Sequence, residues 1–251
     1  MEVACGIMPL MSFAPALVIP CYRHADALAH TLARLHGYAI TTWVIDDGNA
    51  PEEAQRIADV CAHYPQVKCV SLPHNQGKGA AVLTGLRAAA AAGHSHGIQI
   101  DADGQHDLTQ TPHLLQLAQH NPYAVVIAHP LYDNSIPKAR LRGRWVNRIW
   151  VWIETLGPRI YDAMIGFRVY PLSSTLALAN HTTIDTGMTF DTHLLVKLAW
   201  RGVPVIAHPV AVSYPPDGIS NFKASDNLRL AWMHTRLMAQ WLRTLPWLVY
   251  R

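Results

Sequence analysis

Short runs of apolar residues alternate along the first half of the chain with longer stretches whose apolar side chains recur every three or four positions. Uninterrupted runs of this length predict strands buried on both faces, and the periodic stretches predict helices. Their alternation predicts an α/β fold in which a mostly parallel sheet carries helices on both faces. The predicted strands are 16–20, 42–45, 67–72, 96–100 and 123–128, and the predicted helices are 25–35, 51–63, 79–92 and 108–120.

The second half of the chain shows the same kinds of pattern, separated by longer connections. Asp191 stands where a helix begins and is predicted to be its amino-terminal cap. Pro209 is expected to break a late strand, because proline cannot donate to a strand ladder. The predicted elements are a helix at about 138–156, a loop and strand over 162–170, a helix at 190–201, a strand at 203–213, a loop at 214–220 long enough to cover a site, and a helix at about 225–245.

The amino-acid composition indicates an ordered globular protein and agrees with the predicted α/β fold. Hydrophobic residues make up 50% of the chain and charged residues 15%, as in an ordered globular protein. No low-complexity linker interrupts the sequence, so we expect one domain over 1–251, with an ordered core at about 14–220 and an amphipathic carboxy-terminal helix within 221–251. The formal net charge of +3 is too small to indicate a nucleic-acid partner, and none is expected.

The amino-terminal segment and the cysteines favour a cytoplasmic location. The first 20 residues contain Glu2 and three prolines but no lysine or arginine, which is a poor match to a signal peptide. No uninterrupted apolar run reaches 18 residues, so no spanning helix is expected. The four cysteines show neither metal-ligand nor redox spacing and are interpreted as reduced thiols.

Two carboxylates follow the fourth predicted strand in the segment Asp101-Ala102-Asp103-Gly104-Gln105-His106. Because strand side chains alternate, Asp101 and Asp103 project the same way and repel each other unless a cation lies between them or one is protonated. Carboxylate and amide oxygens suit Mg²⁺ or Mn²⁺, ions that commonly bridge phosphate oxygens. The segment therefore indicates metal-assisted handling of a diphosphate. The alternative is a polar strand-to-helix turn with solvated aspartates.

Residues 75–79 read Asn-Gln-Gly-Lys-Gly at the start of a predicted helix and resemble half of a phosphate loop. The complete phosphate-loop and dinucleotide-binding motifs are both absent. A helix amino terminus favours a phosphate electrostatically. The alternative is a helix start that only needs backbone freedom.

Two predicted helices mix basic residues with tryptophans. In the first, Arg144 and Arg148 lie on one side and an apolar stripe lies on another; in the last, a core-like stripe lies beside a second stripe of cations and indoles. Such helices are typical of a membrane surface or a lipid phosphate headgroup. A solvated charged face over an ordinary core helix is the alternative. The stripes are Leu141, Trp145, Ile149, Trp152 and Leu156; Leu230, Met233, Leu237 and Trp241; and Arg229, Trp232, Arg236, Gln240, Arg243 and Trp247.

Five segments in this order resemble family-2 glycosyltransferases of the GT-A fold, close to the bacterial polyprenyl-phosphate (dolichol-phosphate mannose synthase-like) branch. The resemblance spans about 14–220, and the combination is specific although each segment alone is weak. The segments are Val18-Ile19-Pro20-Cys21-Tyr22, Ile45-Asp46-Asp47-Gly48, Asn75-Gln76-Gly77-Lys78-Gly79, Asp101-Ala102-Asp103-Gly104-Gln105-His106, and Asp162 through Gly166-Phe167-Arg168.

The resemblance implies where the sugar donor binds. Pro20 and Tyr22 would line the pocket for the nucleotide base, and Asp46 would hydrogen-bond the base or the ribose. Lys78, with nearby amides, and Ala102 would lie close to the donor. Tyr22 and the two residues after it replace the asparagine or glutamate usual in the family, so the sequence leaves the base open.

The resemblance also implies the metal site and the chemistry. Asp101 would contact the ribose or the metal side, Asp103 and Gln105 would bind Mg²⁺ or Mn²⁺, and Arg168 would face the acceptor phosphate or the diphosphate. A divalent ion and cations would stabilise the nucleoside diphosphate that leaves when the anomeric bond breaks.

A catalytic base is left open, because the family usually has a glutamate in the region of 190–195. This chain has Asp191 and His193 there, either of which can deprotonate a hydroxyl acceptor. A lipid phosphate is already anionic and needs no base.

The function expected from the resemblance is an inverting, metal-dependent transfer of a sugar from a UDP- or GDP-sugar to a lipid or lipid-linked acceptor such as polyprenyl phosphate. The enzyme would lie at the inner face of the cytoplasmic membrane as a peripheral protein. Two alternatives remain: a non-catalytic scaffold that binds nucleotide sugar or lipid, and a nucleotidyl- or phosphotransferase, which the missing phosphate-loop motif disfavours.

Overall fold

The computed structural model describes residues 12–132, 136, 138–212 and 224–249. Within these ranges the chain forms one seven-stranded sheet with helices on both faces. The strands are β1 (Pro15–Cys21), β2 (Thr42–Asp46), β3 (Val67–Ser71), β4 (His96–Gln99), β5 (Val125–Tyr132), β6 (Arg168–Pro171) and β7 (Val205–Val212). The helices are α1 (Ala25–Leu35), α2 (Pro51–Ala62), α3 (Lys78–Ala91), α4 (Thr111–His120), α5 (Lys138–Glu154), α6 (Leu172–His181), α7 (Phe190–Trp200) and α8 (Ala224–Val249).

The strands lie in the order β3-β2-β1-β4-β6-β5-β7. All neighbouring pairs are parallel except those of β6, which runs antiparallel to both β4 and β5. The predicted mostly parallel α/β architecture is therefore confirmed. Its consequence is that β1, β2 and β4 end at the same edge of the sheet, where the acidic segments follow them.

Strand β1 shows why the apolar runs are uninterrupted. Ala16 and Val18 pack in the core on one face of the sheet, and Leu17 and Ile19 pack in the core on the other face. Successive strand side chains point to opposite faces, so a strand covered on both faces needs an apolar residue at every position. This burial fixes the strand ends, and with them the position of the polar residues that follow.

Three expectations about the second half are corrected. Helix α6 was not predicted, because its first turn holds Ser173, Ser174 and Thr175, which are weak helix formers. Pro209 does not break β7, since β7 lies at the edge of the sheet and needs no hydrogen bond on its open side. Helix α7 begins after Thr189, so Asp191 lies inside its first turn and is not the cap.

The last helix confirms the prediction of a long carboxy-terminal amphipathic element. Helix α8 packs against α5 and α7, and its predicted core stripe is buried at Leu230, Met233 and Leu237. Within the described ranges, none of the helices combines the length and the apolar character needed to cross a membrane. The predicted loop at 214–220 lies outside the described residues.

Candidate active site

A cleft of about 570 Å³ opens at the carboxyl edge of the sheet, where β1, β2 and β4 end. The start of α3 and the first turn of α7 form its floor, and α5 and α8 contribute one wall. This is where open parallel sheets bind ligands. The predicted site residues that line the cleft are Pro20, Tyr22, Lys78, Asp101, Ala102, Asp103, Gln105 and Asp191.

A partly buried lysine joins two of the carboxylates in this cleft. The Lys78 Nζ lies 2.8 Å and 2.9 Å from the two carboxylate oxygens of Asp101 and 2.7 Å from Oδ2 of Asp191. Burial alone would lower the pKa of Lys78, but the charges of Asp101 and Asp191 raise it above its ordinary value. Burial alone would raise the pKa of Asp101, but Lys78 and His106 lower it well below its usual range. The lysine and Asp101 are therefore both charged at neutral pH.

The position of Asp101 depends on a glycine in the loop before β6. A Cβ atom added to Gly166 would lie 2.2 Å from both carboxylate oxygens of Asp101, which no side chain tolerates. Only glycine lets the backbone approach the carboxylate this closely. The Gly166-Phe167-Arg168 segment thus shapes the acidic side of the cleft through its backbone.

A second aspartate, Asp47, organises the loop before α3. Its carboxylate accepts hydrogen bonds from the amides of Gln76 (2.8 Å) and Gly77 (3.0 Å) and from the side chain of Asn75 (3.1 Å). It also lines the cleft, a role the sequence had assigned to its neighbour.

That neighbour, Asp46, does not reach the cleft. Its side chain is 2% exposed, and Oδ1 accepts hydrogen bonds from the backbone amide (3.0 Å) and the side chain (2.6 Å) of Asn49. The expectation that Asp46 binds the base or ribose is corrected: it closes the turn after β2. Strand alternation could not separate the two aspartates, because both faces of β2 are covered.

The start of α3 is not an open phosphate loop. The Thr186 carbonyl accepts hydrogen bonds from the amides of Gly79 (2.7 Å) and Ala80 (3.3 Å). Gly77 has a φ of +95°, and a Cβ there would lie 2.6 Å from the same carbonyl oxygen. These contacts favour the helix start that needs backbone freedom, and the position of nearby amides beside the donor stays a prediction. The Lys78 side chain, in contrast, does enter the cleft.

Arg168 is a buried structural residue and does not face a phosphate. Its side chain is 0% exposed, and its guanidinium donates to the carbonyl oxygens of Ile165 (2.7 Å), Ala163 (2.6 Å) and Asp191 (2.6 Å). The expected contact with the acceptor or the diphosphate is therefore wrong for this structure. Arg168 instead ties β6 to the loop before it and to the first turn of α7.

The two candidate bases are in different environments. His193 is buried outside the cleft, where Nδ1 accepts a hydrogen bond from the Asp185 amide at 3.0 Å, so the expectation that it meets an acceptor is corrected. Asp191 lines the cleft, but Oδ2 is paired with Lys78 and Oδ1 accepts a hydrogen bond from Gln99 at 2.8 Å. Of the two, only Asp191 can meet a ligand, and both of its oxygens already have partners.

The predicted metal ligands share the acidic loop after β4. Asp101, Asp103 and Gln105 all line the cleft, and their oxygens are hard donors of the kind that Mg²⁺ and Mn²⁺ bind. Oδ1 of Asp103 accepts a hydrogen bond from the Gln105 amide at 3.1 Å. No group of three His, Cys, Asp or Glu side chains in the described residues is arranged around one point for a metal ion. The donor types of this loop fit a divalent ion.

Helix α1 and the 3₁₀ turn that follows it (His36–Tyr38) donate hydrogen bonds to the acidic loop. Arg34 donates to the carbonyl oxygens of Gly104 (3.5 Å) and His106 (3.1 Å), and Tyr38 donates to that of Leu108 (3.3 Å). These contacts fix the backbone on both sides of Gln105, although none of their donors carries a motif readable in the sequence.

Two arginines of α5 line the cleft, which the sequence analysis did not foresee. Arg140 and Arg144 are four residues apart and share one side of the helix. Arg144 Nη1 lies 2.6 Å from Oδ2 of the buried Asp162, which also accepts a hydrogen bond from Tyr132 at 2.9 Å. The sequence predicts that the basic side of this helix contacts a membrane surface or a lipid phosphate headgroup, and the structure places these two arginines in the cleft.

Large apolar side chains are exposed on both helices of this wall. Trp145 and Ile149 of α5 are 48% and 47% exposed, and Leu228 and Trp232 of α8 are 76% and 63% exposed. We call these four residues the outer patch. Arg236, which the sequence placed among the interfacial cations of α8, instead forms an ion pair with Asp185 at 2.8 Å. The Arg236 side chain is still 39% exposed, and the contributions of Arg236 and Trp232 to a membrane surface both remain predictions.

Comparison with known proteins gives a family match and several relatives. A family model described as glycosyl transferase family 2 matches residues 16–182. The undecaprenyl-phosphate mannosyltransferase of Micrococcus luteus is 24% identical over 198 residues, which is 77% of this chain and 81% of that protein. The polyprenol monophosphomannose synthase of Mycolicibacterium smegmatis is 25% identical over 228 residues, which is 86% of this chain and 83% of that protein.

Solved structures show the same fold at low sequence identity. Glucosyl-3-phosphoglycerate synthase from Mycobacterium tuberculosis, crystallised with Mn²⁺ and UDP-glucose, aligns with a TM-score of 0.66 at 15% identity, covering 92% of this chain and 79% of that one. Mannosyl-3-phosphoglycerate synthase from Rubrobacter xylanophilus aligns with a TM-score of 0.66 at 17% identity, covering 93% of this chain and 75% of that one. These likenesses confirm the expected fold class.

Proposed function

Because the chain belongs to glycosyltransferase family 2, with the GT-A fold, we propose that this enzyme transfers a sugar from a nucleoside-diphosphate sugar to a polyprenyl phosphate, with inversion at the anomeric carbon. The relatives named for undecaprenyl phosphate and polyprenol support a lipid phosphate as acceptor. The solved neighbour with Mn²⁺ and UDP-glucose supports a divalent ion and a nucleotide-sugar donor.

One feature of the cleft carries the proposal: the predicted metal ligands and a pair of arginines line the same cleft. Asp101, Asp103 and Gln105 of the acidic loop line it. The α5–α8 wall contributes Arg140 and Arg144 to the cleft, and the same two helices carry the exposed outer patch. Arginine is well suited to bind phosphate, and exposed tryptophan and leucine suit an acyl or isoprenoid environment.

The residues of the cleft divide the chemical work. Asp101, Asp103 and Gln105 would hold the divalent ion, which supplies positive charge against the departing nucleoside diphosphate. Lys78 stays protonated beside Asp101 and adds a second fixed positive charge next to the acidic loop. The arginines of α5 orient the acceptor phosphate, whose oxygen attacks the anomeric carbon as the bond to the diphosphate breaks.

A phosphate acceptor agrees with the contacts that the Asp191 carboxylate makes. A general base must reach the proton that it takes, but the Asp191 side chain is 3% exposed and its two oxygens are held by Lys78 and Gln99. A phosphate monoester is already ionised at neutral pH and has no proton to lose to a base. The geometry therefore favours a phosphate acceptor over a hydroxyl acceptor.

The activity is tested by incubating the protein and MnCl₂ with a panel of UDP- and GDP-sugars and either a polyprenyl phosphate or the matching polyprenol. We expect a glycosylated polyprenyl phosphate and free nucleoside diphosphate, seen by mass spectrometry, and no product from the polyprenol. Release of pyrophosphate would indicate nucleotidyl transfer, and binding without product for every donor would indicate a scaffold. NMR of the product's anomeric proton tests inversion.

We also propose that the outer patch rests on the membrane, at the cytoplasmic face where nucleotide sugars are present. Replacing both Trp145 and Trp232 with serine should weaken binding to anionic lipid vesicles by at least about tenfold, because both indoles would leave the interface. Vesicle flotation measures this directly. The control is Tyr123→Ser, which removes an exposed aromatic residue that precedes β5, at the opposite edge of the sheet from the cleft. Equal flotation of the double variant and the wild type would contradict the proposal.

A further inference from the structure

His106, which follows the predicted metal ligands, is buried, and its ring nitrogens have no hydrogen-bond partner. The side chain is 7% exposed and lines the cleft, and neither Nδ1 nor Nε2 makes a hydrogen bond. Its nearest charged neighbour is Asp101, whose Oδ2 lies 3.9 Å from Nε2, too far for a hydrogen bond. Leaving buried polar atoms unsatisfied costs about 1–3 kcal/mol, so such a side chain calls for an explanation.

The surroundings of His106 position its backbone and one face of its ring. The ring packs on the ring of Phe167, with centroids 5.7 Å apart. The backbone forms a β-bridge with Val212, and the carbonyl oxygen accepts a hydrogen bond from Arg34 at 3.1 Å. The residue is thus anchored where it lines the cleft, with no hydrogen bond to either ring nitrogen.

We infer that Nε2 of His106 is a ligand of the divalent ion, together with Asp101. The inference rests on the ion dependence proposed above and adds a residue to it. Bonds from a divalent ion to oxygen or nitrogen are about 2.0–2.2 Å long, so two ligand atoms of one ion lie at most about 4.4 Å apart. The separation of 3.9 Å between Nε2 and Oδ2 of Asp101 meets this limit.

A nitrogen ligand also sets which ion the site prefers. Oxygen donors alone suit Mg²⁺, whereas imidazole favours the transition-metal ions. Because His106 lines the same cleft as Asp101, Asp103 and Gln105, the cleft offers both nitrogen and oxygen donors. Such a set selects Mn²⁺ over Mg²⁺, and His106 is then the residue that determines the preference.

The test measures Mn²⁺ binding by the full chain without any sugar donor, using the EPR signal of free Mn²⁺. His106→Phe keeps a ring against Phe167 but removes both nitrogens, and it should raise the Kd for Mn²⁺ at least about tenfold while changing the Kd for Mg²⁺, found by competition, much less. The control is His113→Phe, an exposed histidine of α4 that stacks on His208 away from the cleft. It should leave both constants unchanged.

Two further readouts separate ligation from a structural role. Electron spin-echo modulation from ¹⁴N should be present in the Mn²⁺ complex of the wild type and absent from that of His106→Phe. The thermal unfolding temperature of the ion-free variant should equal or exceed that of the wild type, because buried unsatisfied nitrogens are removed. If His106→Phe does not fold, His106→Gln replaces it and should show the same loss of ¹⁴N modulation.

The outcomes distinguish this inference from the proposed function. An unchanged Kd for Mn²⁺ in the variant, or no ¹⁴N modulation in the wild type, overturns the role of His106 and leaves the ion site at Asp101, Asp103 and Gln105 standing. No binding of Mn²⁺ by the wild type overturns both the inference and the ion dependence. A tenfold loss with loss of the ¹⁴N modulation establishes the ligand.

Discussion

Replacing Asp103 with asparagine should lower the rate of sugar transfer at least about 10³-fold, which corresponds to about 4 kcal/mol of transition-state stabilisation. The carboxylate faces the cleft, where it would neutralise an ion that in turn stabilises the departing diphosphate. Asparagine keeps the oxygen that accepts the hydrogen bond from the Gln105 amide, so the loop should retain its shape. Initial rates measured by mass spectrometry, with calorimetry of nucleoside diphosphate binding in the presence and absence of Mn²⁺, test the expectation.

The control for this variant lies four residues away in the same loop. Asp107 accepts hydrogen bonds from the Thr109 amide at 3.1 Å and hydroxyl at 2.6 Å, as the cap of the short 3₁₀ helix Leu108–Gln110. Asparagine caps nearly as well as aspartate, so Asp107→Asn should change the rate less than about threefold. Undiminished, ion-dependent nucleotide binding by Asp103→Asn would remove Asp103 from the ion site.

The first half of the fold was predictable because it repeats one physical rule. The parallel strands β1 and β2 are largely covered on both faces, so their runs contain an apolar or small residue at nearly every position, and turn residues mark their ends. The edge strand β3 follows the rule less closely, since three of its five residues are exposed. The rule gave no information about β6, whose insertion between β4 and β5 depends on contacts between distant segments. It also missed α6, where the buried positions Leu172, Thr175 and Leu178 follow helical spacing but begin in a run of hydroxyl side chains.

The candidate site was predictable as a location and less so as a set of side chains. The carboxyl ends of strands fix where ligands bind, and this brought Asp101, Asp103 and Lys78 together. The direction in which a side chain points at the end of a strand is set by the turn that follows. The sequence pattern does not specify that direction. Asp46 and Asp47 are adjacent, yet the first bonds Asn49 and only the second faces the cleft.

His106 and Arg168 show two limits of predicting residue roles from motifs. For His106 the motif did not indicate a ligand role, and for Arg168 it indicated one that the structure does not support. His106 stands within the acidic motif, but its contacts with Phe167 and Val212, which are distant in sequence, and the unsatisfied state of its ring nitrogens appear only in the folded structure. Arg168 was expected to bind phosphate because cations commonly do so. In the structure its guanidinium is fully buried and donates to carbonyl oxygens, so its role is structural. Only the tertiary structure distinguishes a structural arginine from one that binds phosphate.

Replacing Arg168 with methionine should lower the free energy of unfolding by about 3–5 kcal/mol, a large part of the stability of an ordinary domain. Methionine is similar in length but donates nothing, so the carbonyl oxygens of Ala163, Ile165 and Asp191 would be buried without the donors they now share. Arg168→Lys should recover only part of the loss, because one ammonium cannot reach three carbonyls that a planar guanidinium bridges. Urea unfolding followed by circular dichroism gives the values.

The matched control is Arg87→Met on α3, where the arginine is exposed and a change within about 0.5 kcal/mol is expected. The comparison also decides between the two roles considered for Arg168. A phosphate ligand would lose activity on substitution while unfolding at the wild-type urea concentration. A structural residue loses stability first, and the sugar transfer of the folded fraction falls only as far as the displaced Asp191 carbonyl disturbs the first turn of α7. If Arg168→Met unfolds at the wild-type urea concentration but no longer transfers sugar, Arg168 is a phosphate ligand and the structural role is wrong.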